Sequence, residues 1–160
     1  MRYGHRDHLS WLCLEGVIRY TEARQLRAFL DDVVIPQVSD TTVIDLSDVV
    51  SVDSTGLGLL AHLGRSCLER FSRRAVILCP EGQVAQTLRA MQFDKLFTMT
   101  PKLEPPSELE LEEVTLDRTP PQGLAAVMLG AHRELCDVDE RNRARFSDVM
   151  EALERSNGKR

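Results

Sequence analysis

The sequence of 160 residues lacks the features that mark a membrane or secreted protein. No apolar run approaches the roughly 20 residues that a membrane-spanning helix needs. The first residues, MRYGHR, carry no apolar stretch of the kind found in a signal peptide. We therefore expect a cytoplasmic protein with no membrane partner, whose length allows one ordinary domain and an appendage.

The sequence also lacks a cysteine motif and an excess of positive charge, because 25 acidic residues stand against 20 basic ones. The four cysteines are far apart and stand among apolar residues, so the sequence shows neither a CxxC metal pattern nor a disulfide framework. We interpret them as reduced core thiols; they are Cys13, Cys67, Cys79 and Cys136. A net charge of -5 argues against direct nucleic-acid binding, which requires a basic face. We expect no metal and no cofactor.

The motifs of common enzyme classes are missing as well. Ser54 is not enclosed by a G-x-S-x-G elbow, and no G-x-x-x-x-G-K-[ST] is present. The third glycine of G-x-G-x-x-G is replaced by Ala61. His62 is the one histidine near Ser54 in sequence, and we interpret it as a partly exposed structural residue because spacing names no catalytic base. We expect a protein that is not an enzyme.

The chain does contain an alternation of strand and helix patterns. Short apolar, β-prone runs predict strands, and apolar positions spaced by three and four residues predict amphipathic helices. The predicted order is a strand at 9–17, a helix at 21–36, a strand at 42–52, a helix at 54–71, a strand at 75–79 and a helix at 81–91. This alternation predicts an α/β fold in which helices pack on a sheet.

The chain after residue 100 changes in composition. Between Pro101 and Pro120 stand six acidic residues and two basic ones, so we predict a solvated, acidic, proline-rich linker over 101–120. Residues 121–160 carry two apolar stripes at helical spacing and predict a helical hairpin. These stripes need a covering surface, and three remain open: the chain's own sheet, a second copy in a homodimer, or a second protein partner.

The segment with chemical information is the strand-to-helix junction at Ser54. Residues 43–60 read VIDLSDVVSVDSTGLGLL. First-turn amides of a helix are unpaired and the helix dipole is positive there, so a phosphate on Ser54 would be accommodated. Gly56 and Gly58 reduce the bulk around the helix start, which would allow another protein to approach. The same residues also fit a structural interpretation, in which Asp53 or Ser54 is an N-cap and the glycines serve packing.

The wider context resembles the STAS domain family of bacterial anti-sigma factor antagonists. Residues 43–58 follow the family pattern V-x-D-L-x-x-V-x-x-x-D-S-[ST]-G-L-G. Residues 12–16 (LCLEG) stand in the place of the family's strand and glycine before helix one, and 91–97 (MQFDKLF) are similar to its F-D-x-x-x-L-F ending. The resemblance covers residues 5–100. It implies a STAS-like mixed β-sheet with helices packed on it as a domain over 1–100, and it leaves 121–160 as a C-terminal helical extension.

The resemblance also implies a function. In the family, the unmodified domain binds an anti-sigma factor and thereby frees the sigma factor. A serine kinase, which can be the anti-sigma factor itself, phosphorylates one serine, and a serine phosphatase restores it. Ser54 is the matching serine. The implied partner-binding residues are Asp53, Ser54, Thr55, Gly56, Leu57 and Gly58, together with Arg19 and Tyr20, which stand where many of these antagonists carry an acidic residue.

An alternative function remains open, because a fold alone does not assign one. STAS modules also act as accessory or scaffold modules of transport or signalling complexes. The hydroxyls of Ser54 and Thr55 favour the regulatory interpretation. Copurification with a transporter ATPase, without phosphorylation, would favour the accessory one.

Overall fold

A mixed six-stranded sheet organises the computed structural model, which describes residues 1–116 and 123–157. The strands are β1 (Arg2–Arg6), β2 (Leu9–Ile18), β3 (Thr41–Val52), β4 (Ala75–Leu78), β5 (Phe97–Thr100) and β6 (Glu112–Glu113). The α-helices are α1 (Ala23–Phe29), α2 (Ser54–Phe71), α3 (Gln83–Ala90), α4 (Leu124–Val138) and α5 (Glu140–Asn157). A π-helical turn, Leu30–Val34, and a 3-10 turn, Ile35–Gln37, continue α1. Two further 3-10 turns are Tyr20–Glu22 and Phe93–Lys95.

The strand order is β5-β4-β3-β2-β1-β6. β2, β3, β4 and β5 run parallel to one another. β1 is antiparallel to both of its neighbours, β2 and β6. Parallel strands require crossover connections, which the helices supply. The predicted fold class, a mixed sheet with helices packed on it and C-terminal helices, is therefore confirmed. The pairing of Ile18 with Val52 places the ends of β2 and β3 side by side, immediately before α2.

The sheet is buried on both faces around β2 and β3. Successive strand residues point to opposite faces. Leu12, Ile44 and Ile77 have no exposed surface and belong to the main core under the helices. The opposite face holds a smaller cluster made of Trp11, Cys13, Val43, Leu78 and Leu109. All four cysteines are buried free thiols, as the sequence predicts.

The acidic segment after residue 100 contacts the sheet. Leu109 is buried in the smaller cluster, and Glu112–Glu113 pair with β1. The close approach requires Gly4, where a Cβ would lie 2.4 Å from the carbonyl oxygen of Glu110. The prediction of a solvated linker therefore did not include the edge strand β6. This strand consists of two exposed glutamates, which give no strand pattern in the sequence. Residues 117–120 of that segment, and 121–122 and 158–160 of the predicted hairpin, lie outside the described residues.

The C-terminal hairpin, defined as α4 and α5, docks on the chain's own STAS-like domain. Ala131, Leu135 and Val138 of α4 join the main core. The helix that receives them is α2, with a smaller contribution from α1, so the hairpin covers helices and not the sheet. The sequence left three covering surfaces open for the apolar stripes. In the described residues, the chain's own domain covers them.

Polar contacts fix α4 to α1 and α2 through His62. The Nδ1 of His62 lies 3.2 Å from Oε1 of Glu134, and its Nε2 lies 2.9 Å from Oδ1 of Asp31. Arg65 Nε donates to Oε2 of Glu134 at 2.8 Å. The hydrogen bond with Glu134 raises the pKa of His62 against the opposing effect of burial. The hydrogen bonds from His62 and Arg65 lower the pKa of Glu134 to about 2, although burial opposes them.

These shifts predict a pH dependence of stability that depends on His62. Because the pKa of His62 is raised above its ordinary 6.5, its contribution is complete below pH 6.5 and is lost as pH rises through the raised pKa. Glu134 contributes above its ordinary 4.5, and this is lost only as pH falls toward about 2. The charged hydrogen bonds of His62 are worth about 1.5 kcal/mol or more.

We expect the unfolding free energy of the wild type to fall relative to that of His62→Gln as pH rises above 6.5, measured by urea unfolding. His8→Gln is the control, because the side chain of His8 is 90% exposed, and it should follow the wild type. Parallel pH profiles for the wild type and His62→Gln would contradict the assigned contacts.

Candidate functional site

Asp53 connects the start of α2 to the end of β2. Its backbone is extended, with φ -84° and ψ 174°, and its Oδ1 accepts a hydrogen bond from the amide of Gly56 at 2.9 Å. Its Oδ2 accepts from the amide of Tyr20 at 2.6 Å, and its own amide donates to the carbonyl oxygen of Ile18 at 3.0 Å. Asp53 is therefore the N-cap of α2, as the structural interpretation of the sequence proposed. The same carboxylate fixes the loop that carries Arg19 and Tyr20.

Ser54 is the first residue of α2, and its hydroxyl contacts α4. Its Oγ lies 2.9 Å from Nε2 of His132, a residue 78 positions further along the chain. Leu57 donates its amide to the carbonyl oxygen of Asp53 at 2.9 Å, which closes the first helical turn around Ser54. The side chain of Ser54 is partly buried in this arrangement. The hydroxyl therefore lies between a helix N-terminus and a histidine.

The surroundings of His132 determine how it contacts Ser54. His132 is 1% exposed, and its Nδ1 lies 2.8 Å from the carbonyl oxygen of Met128. A carbonyl only accepts, so Nδ1 carries a hydrogen and donates it to Met128; in the neutral ring, Nε2 is then the acceptor for the Ser54 hydroxyl. The ring of Phe146 on α5 packs edge-on against the imidazole at 5.6 Å between centroids. Both helices of the hairpin thus hold His132 in place.

The two glycines of the motif make close contacts within the chain. A Cβ at Gly58 would lie 2.0 Å from the carbonyl oxygen of Ala131, so the backbones of α2 and α4 touch there. A Cβ at Gly56 would lie 2.8 Å from side-chain atoms of both Ile18 and Val52. The sequence analysis expected these glycines to make room for another protein. In the structure, the chain's own residues fill that space. Gly58 makes room for α4, and Gly56 for the ends of β2 and β3.

The remaining predicted contact residues divide into buried and exposed groups. Thr55 and Leu57 are each 2% exposed, so their side chains serve the core. Arg19 is exposed and Tyr20 is 46% exposed, and both adjoin Asp53. Two further exposed apolar residues near the same strand ends are Val17, at 41%, and Val50, at 70%. An apolar surface therefore lies beside the Ser54 junction, defined here as residues 52–58.

The Ser54 and His132 pair has the geometry of a hydroxyl next to a base. Proton transfer from Ser54 Oγ to His132 Nε2 would make the oxygen a better nucleophile. The contact of Gly58 with the backbone of Ala131 leaves no room for a substrate between α2 and α4 at this point. Within residues 1–116 and 123–157, no group of three His, Cys, Asp or Glu side chains is arranged to hold a metal ion. The same residues form no helix long and apolar enough to cross a membrane.

The contact of His132 with the Ser54 hydroxyl is the feature that sequence reasoning did not predict. Local spacing could not reveal this contact, because the two residues lie 78 positions apart. One signal was present: His132 falls on the apolar stripe of α4, with Met128 four residues before it and Leu135 three residues after it. A histidine on a buried stripe requires polar partners, and Ser54 and Met128 supply them.

The Asp53 contacts predict the effect of replacing it. Asp53→Ala removes the N-cap and the Tyr20 contact, and should lower the unfolding free energy by about 1–2 kcal/mol. Asp53→Asn keeps an oxygen for the Gly56 amide but turns an amide nitrogen toward Tyr20. Its unfolding free energy should therefore lie between those of the wild type and Asp53→Ala. Asp48→Ala, at an exposed position of β3, should change stability by less than about 0.5 kcal/mol. Equal stabilities of Asp53→Ala and Asp48→Ala in urea unfolding would contradict the capping role.

Comparisons with known proteins agree with this fold. TM1081 of Thermotoga maritima, described as an anti-sigma factor antagonist, has 20% sequence identity and a TM-score of 0.54, covering 61% of this chain and 82% of that chain. The anti-sigma factor antagonist SpoIIAA in its unphosphorylated form has 20% identity and a TM-score of 0.50, covering 64% and 90%. At these identities the likeness shows a shared fold.

Sequence comparison gives the family. A search of curated protein sequences found no match. The family model described as "Mlab, STAS domain" matches residues 1–101, which is more than half of the 160 residues. The chain therefore belongs to this family of STAS domains.

Proposed function

We propose that this protein is an anti-sigma factor antagonist that acts as a phosphorylation-controlled protein-binding switch at Ser54. In the unmodified form it binds an anti-sigma factor and frees the sigma factor, and phosphorylation of Ser54 releases that partner. The observation that carries the proposal is the place of Ser54, at the first position of α2 in a STAS domain whose fold is similar to SpoIIAA. A serine kinase and a serine phosphatase are the implied enzymes, with cytoplasmic action.

Electrostatics support a switch at this position. A phosphate carries about -1.5 to -2 charges at neutral pH, and the first-turn amides of α2 favour an anion there. The amides of Gly56 and Tyr20 already donate to the Asp53 carboxylate, so neither is free to donate to the phosphate. A partner packed against Ser54 would have to supply paired donors or lose affinity. A loss of about 3 kcal/mol weakens binding more than a hundredfold without refolding the domain.

The exposed residues beside the Ser54 junction support a protein partner. Tyr20, Val17 and Val50 expose apolar surface, and Arg19 adds a positive charge. Exposed aromatic, aliphatic and arginine side chains are the residues that contribute most to protein contacts. Arg19 and Tyr20 are therefore the proposed determinants of partner choice.

A second candidate is an accessory or scaffold module of a transport or signalling complex. The observation that favours it is the family model itself, which is described by Mlab and not by an anti-sigma factor antagonist. Stable copurification with a transporter ATPase, from cells in which Ser54 carries no phosphate, would select this candidate.

Phosphate mapping tests the proposed switch. Protein isolated from its native cells, before and after treatment with a serine phosphatase, is digested and sequenced by mass spectrometry. The proposal expects phosphate on Ser54, its loss in Ser54→Ala, and its retention in Ser47→Ala, which removes an exposed serine on β3. Phosphate found only at other residues would overturn the assignment.

Partner affinity tests the consequence of the modification. Ser54→Ala is expected to retain the anti-sigma factor, whereas Ser54→Asp should weaken the complex by at least about tenfold because it buries an unpaired charge. Titration calorimetry with the purified partner measures both. Equal affinities for Ser54→Asp and the wild type would contradict a switch at Ser54.

A further inference from the structure

The hairpin of α4 and α5 covers Ser54 and Gly58, two of the residues that the proposed function assigns to a partner. The hydroxyl of Ser54 contacts His132, and the backbone of Gly58 touches that of Ala131. A kinase needs the Ser54 oxygen in line with a phosphoryl donor, and a protein partner needs the surface around it. Neither can occupy the space that α4 already fills. The docked hairpin therefore excludes any partner that contacts Ser54 and Gly58 directly.

His132 recognises the unmodified hydroxyl. Its Nδ1–H is directed at the Met128 carbonyl, so its Nε2 accepts the hydrogen of the Ser54 hydroxyl. The bridging oxygen of a phosphoserine has no such hydrogen, and the phosphate would add bulk and negative charge beside an imidazole that is 1% exposed. The docked hairpin therefore fits Ser54 only in its unmodified form.

The hairpin is held by apolar residues of α4, Ala131, Leu135 and Val138, and by a set of polar contacts. His62 and Arg65 pair with Glu134, and the Asn142 amide group donates to the carbonyl oxygens of Met91, at 2.9 Å, and Leu135. Among the described residues of α5, only Asn142 is buried. A helix that buries little apolar surface contributes little to docking, and polar contacts exchange readily with water. α5 is therefore held weakly, and the contacts of α4 decide whether the hairpin stays docked.

We propose that the hairpin is an intramolecular competitor for the partner-binding surface of the STAS domain. Docked, it closes Ser54; undocked, it exposes Ser54 to the kinase and the junction to the partner. The nature of the competing partner rests on the proposed function, whereas the covering of Ser54 by α4 stands on the contacts alone. Closure lowers the apparent affinity for a partner by the fraction of molecules that are open.

The test measures access to position 54 without any partner or kinase. Ser54→Cys places a thiol there, and a maleimide carrying a polyethylene glycol chain reports its exposure by a gel shift. The four native cysteines are buried, and the parent chain gives their background. In the full chain, the introduced thiol should react slowly, because α4 blocks the bulky reagent.

Two glycine variants in the Ser54→Cys background give a matched comparison. Gly58→Ala drives a methyl group against the Ala131 carbonyl oxygen, while alanine favours the helical conformation of α2. It should undock the hairpin and raise the labelling rate by about tenfold or more. Gly130→Ala makes the same change on α4 where nothing lies within 4 Å, and should change the rate by less than about twofold.

A third variant keeps the test decisive if Gly58→Ala disturbs folding, which far-UV circular dichroism reports. Glu134→Gln weakens the contacts with His62 and Arg65 without changing any residue of α2. It should also raise the labelling rate. The proposal is overturned if the thiol of the Ser54→Cys chain, with no second substitution, reacts as fast as free cysteine. It is equally overturned if the folded loosened variants label no faster than Gly130→Ala.

This outcome is separable from that of the proposed function. Slow labelling relieved by Gly58→Ala supports the closed state even where Ser54 carries no phosphate. Phosphate on Ser54 together with unprotected labelling supports the switch and rejects the competing hairpin.

Discussion

The close approach of α4 to the first turns of α2 depends on Gly58, because any side chain there would meet the backbone of Ala131. The approach places His132 against the Ser54 hydroxyl and Glu134 against His62 and Arg65. The buried imidazole of His132 then needs both of its hydrogen-bond partners, since an unsatisfied buried polar group costs about 1–3 kcal/mol. One backbone contact thus determines which face of the domain is covered.

This covering changes how a modification at Ser54 would be controlled. If Ser54 is phosphorylated as proposed, a kinase reaches it only after the hairpin has moved, because Ser54 contacts His132 of α4. If docking is favoured by about 3 kcal/mol, fewer than one molecule in about a hundred is open, and apparent partner affinity falls by the same factor. A second signal that loosens the hairpin would then increase the response to the kinase. The pairing of His62 with Asp31 and Glu134 makes pH one such influence.

The sequence was sufficient for features that depend on local pattern and insufficient for long-range contacts. Apolar periodicity predicted β2, β3, α2, β4 and both C-terminal helices, and Asp53 was open to interpretation as an N-cap because capping acts over three residues. β1, β5 and β6 were missed because they are short, at two to five residues, and give too few positions for a strand pattern. The contact of His132 with Ser54 spans 78 residues, and no rule of spacing predicts it. The burial of Leu109 on the second face of the sheet was missed for the same reason.

Hydrogen exchange of the unmodified full-length protein tests the central claim most directly, because it reports the opening of each helix under native conditions. A hairpin that undocks from an intact domain requires the amides of α4 to exchange through an opening of lower free energy than those of β3, with little dependence on global unfolding. We expect this difference, together with faster exchange in the first turn of α2 when α4 is loosened. Exchange of α4 and β3 at one shared free energy, equal to that of global unfolding, would show that the hairpin never leaves Ser54 and does not compete with a partner.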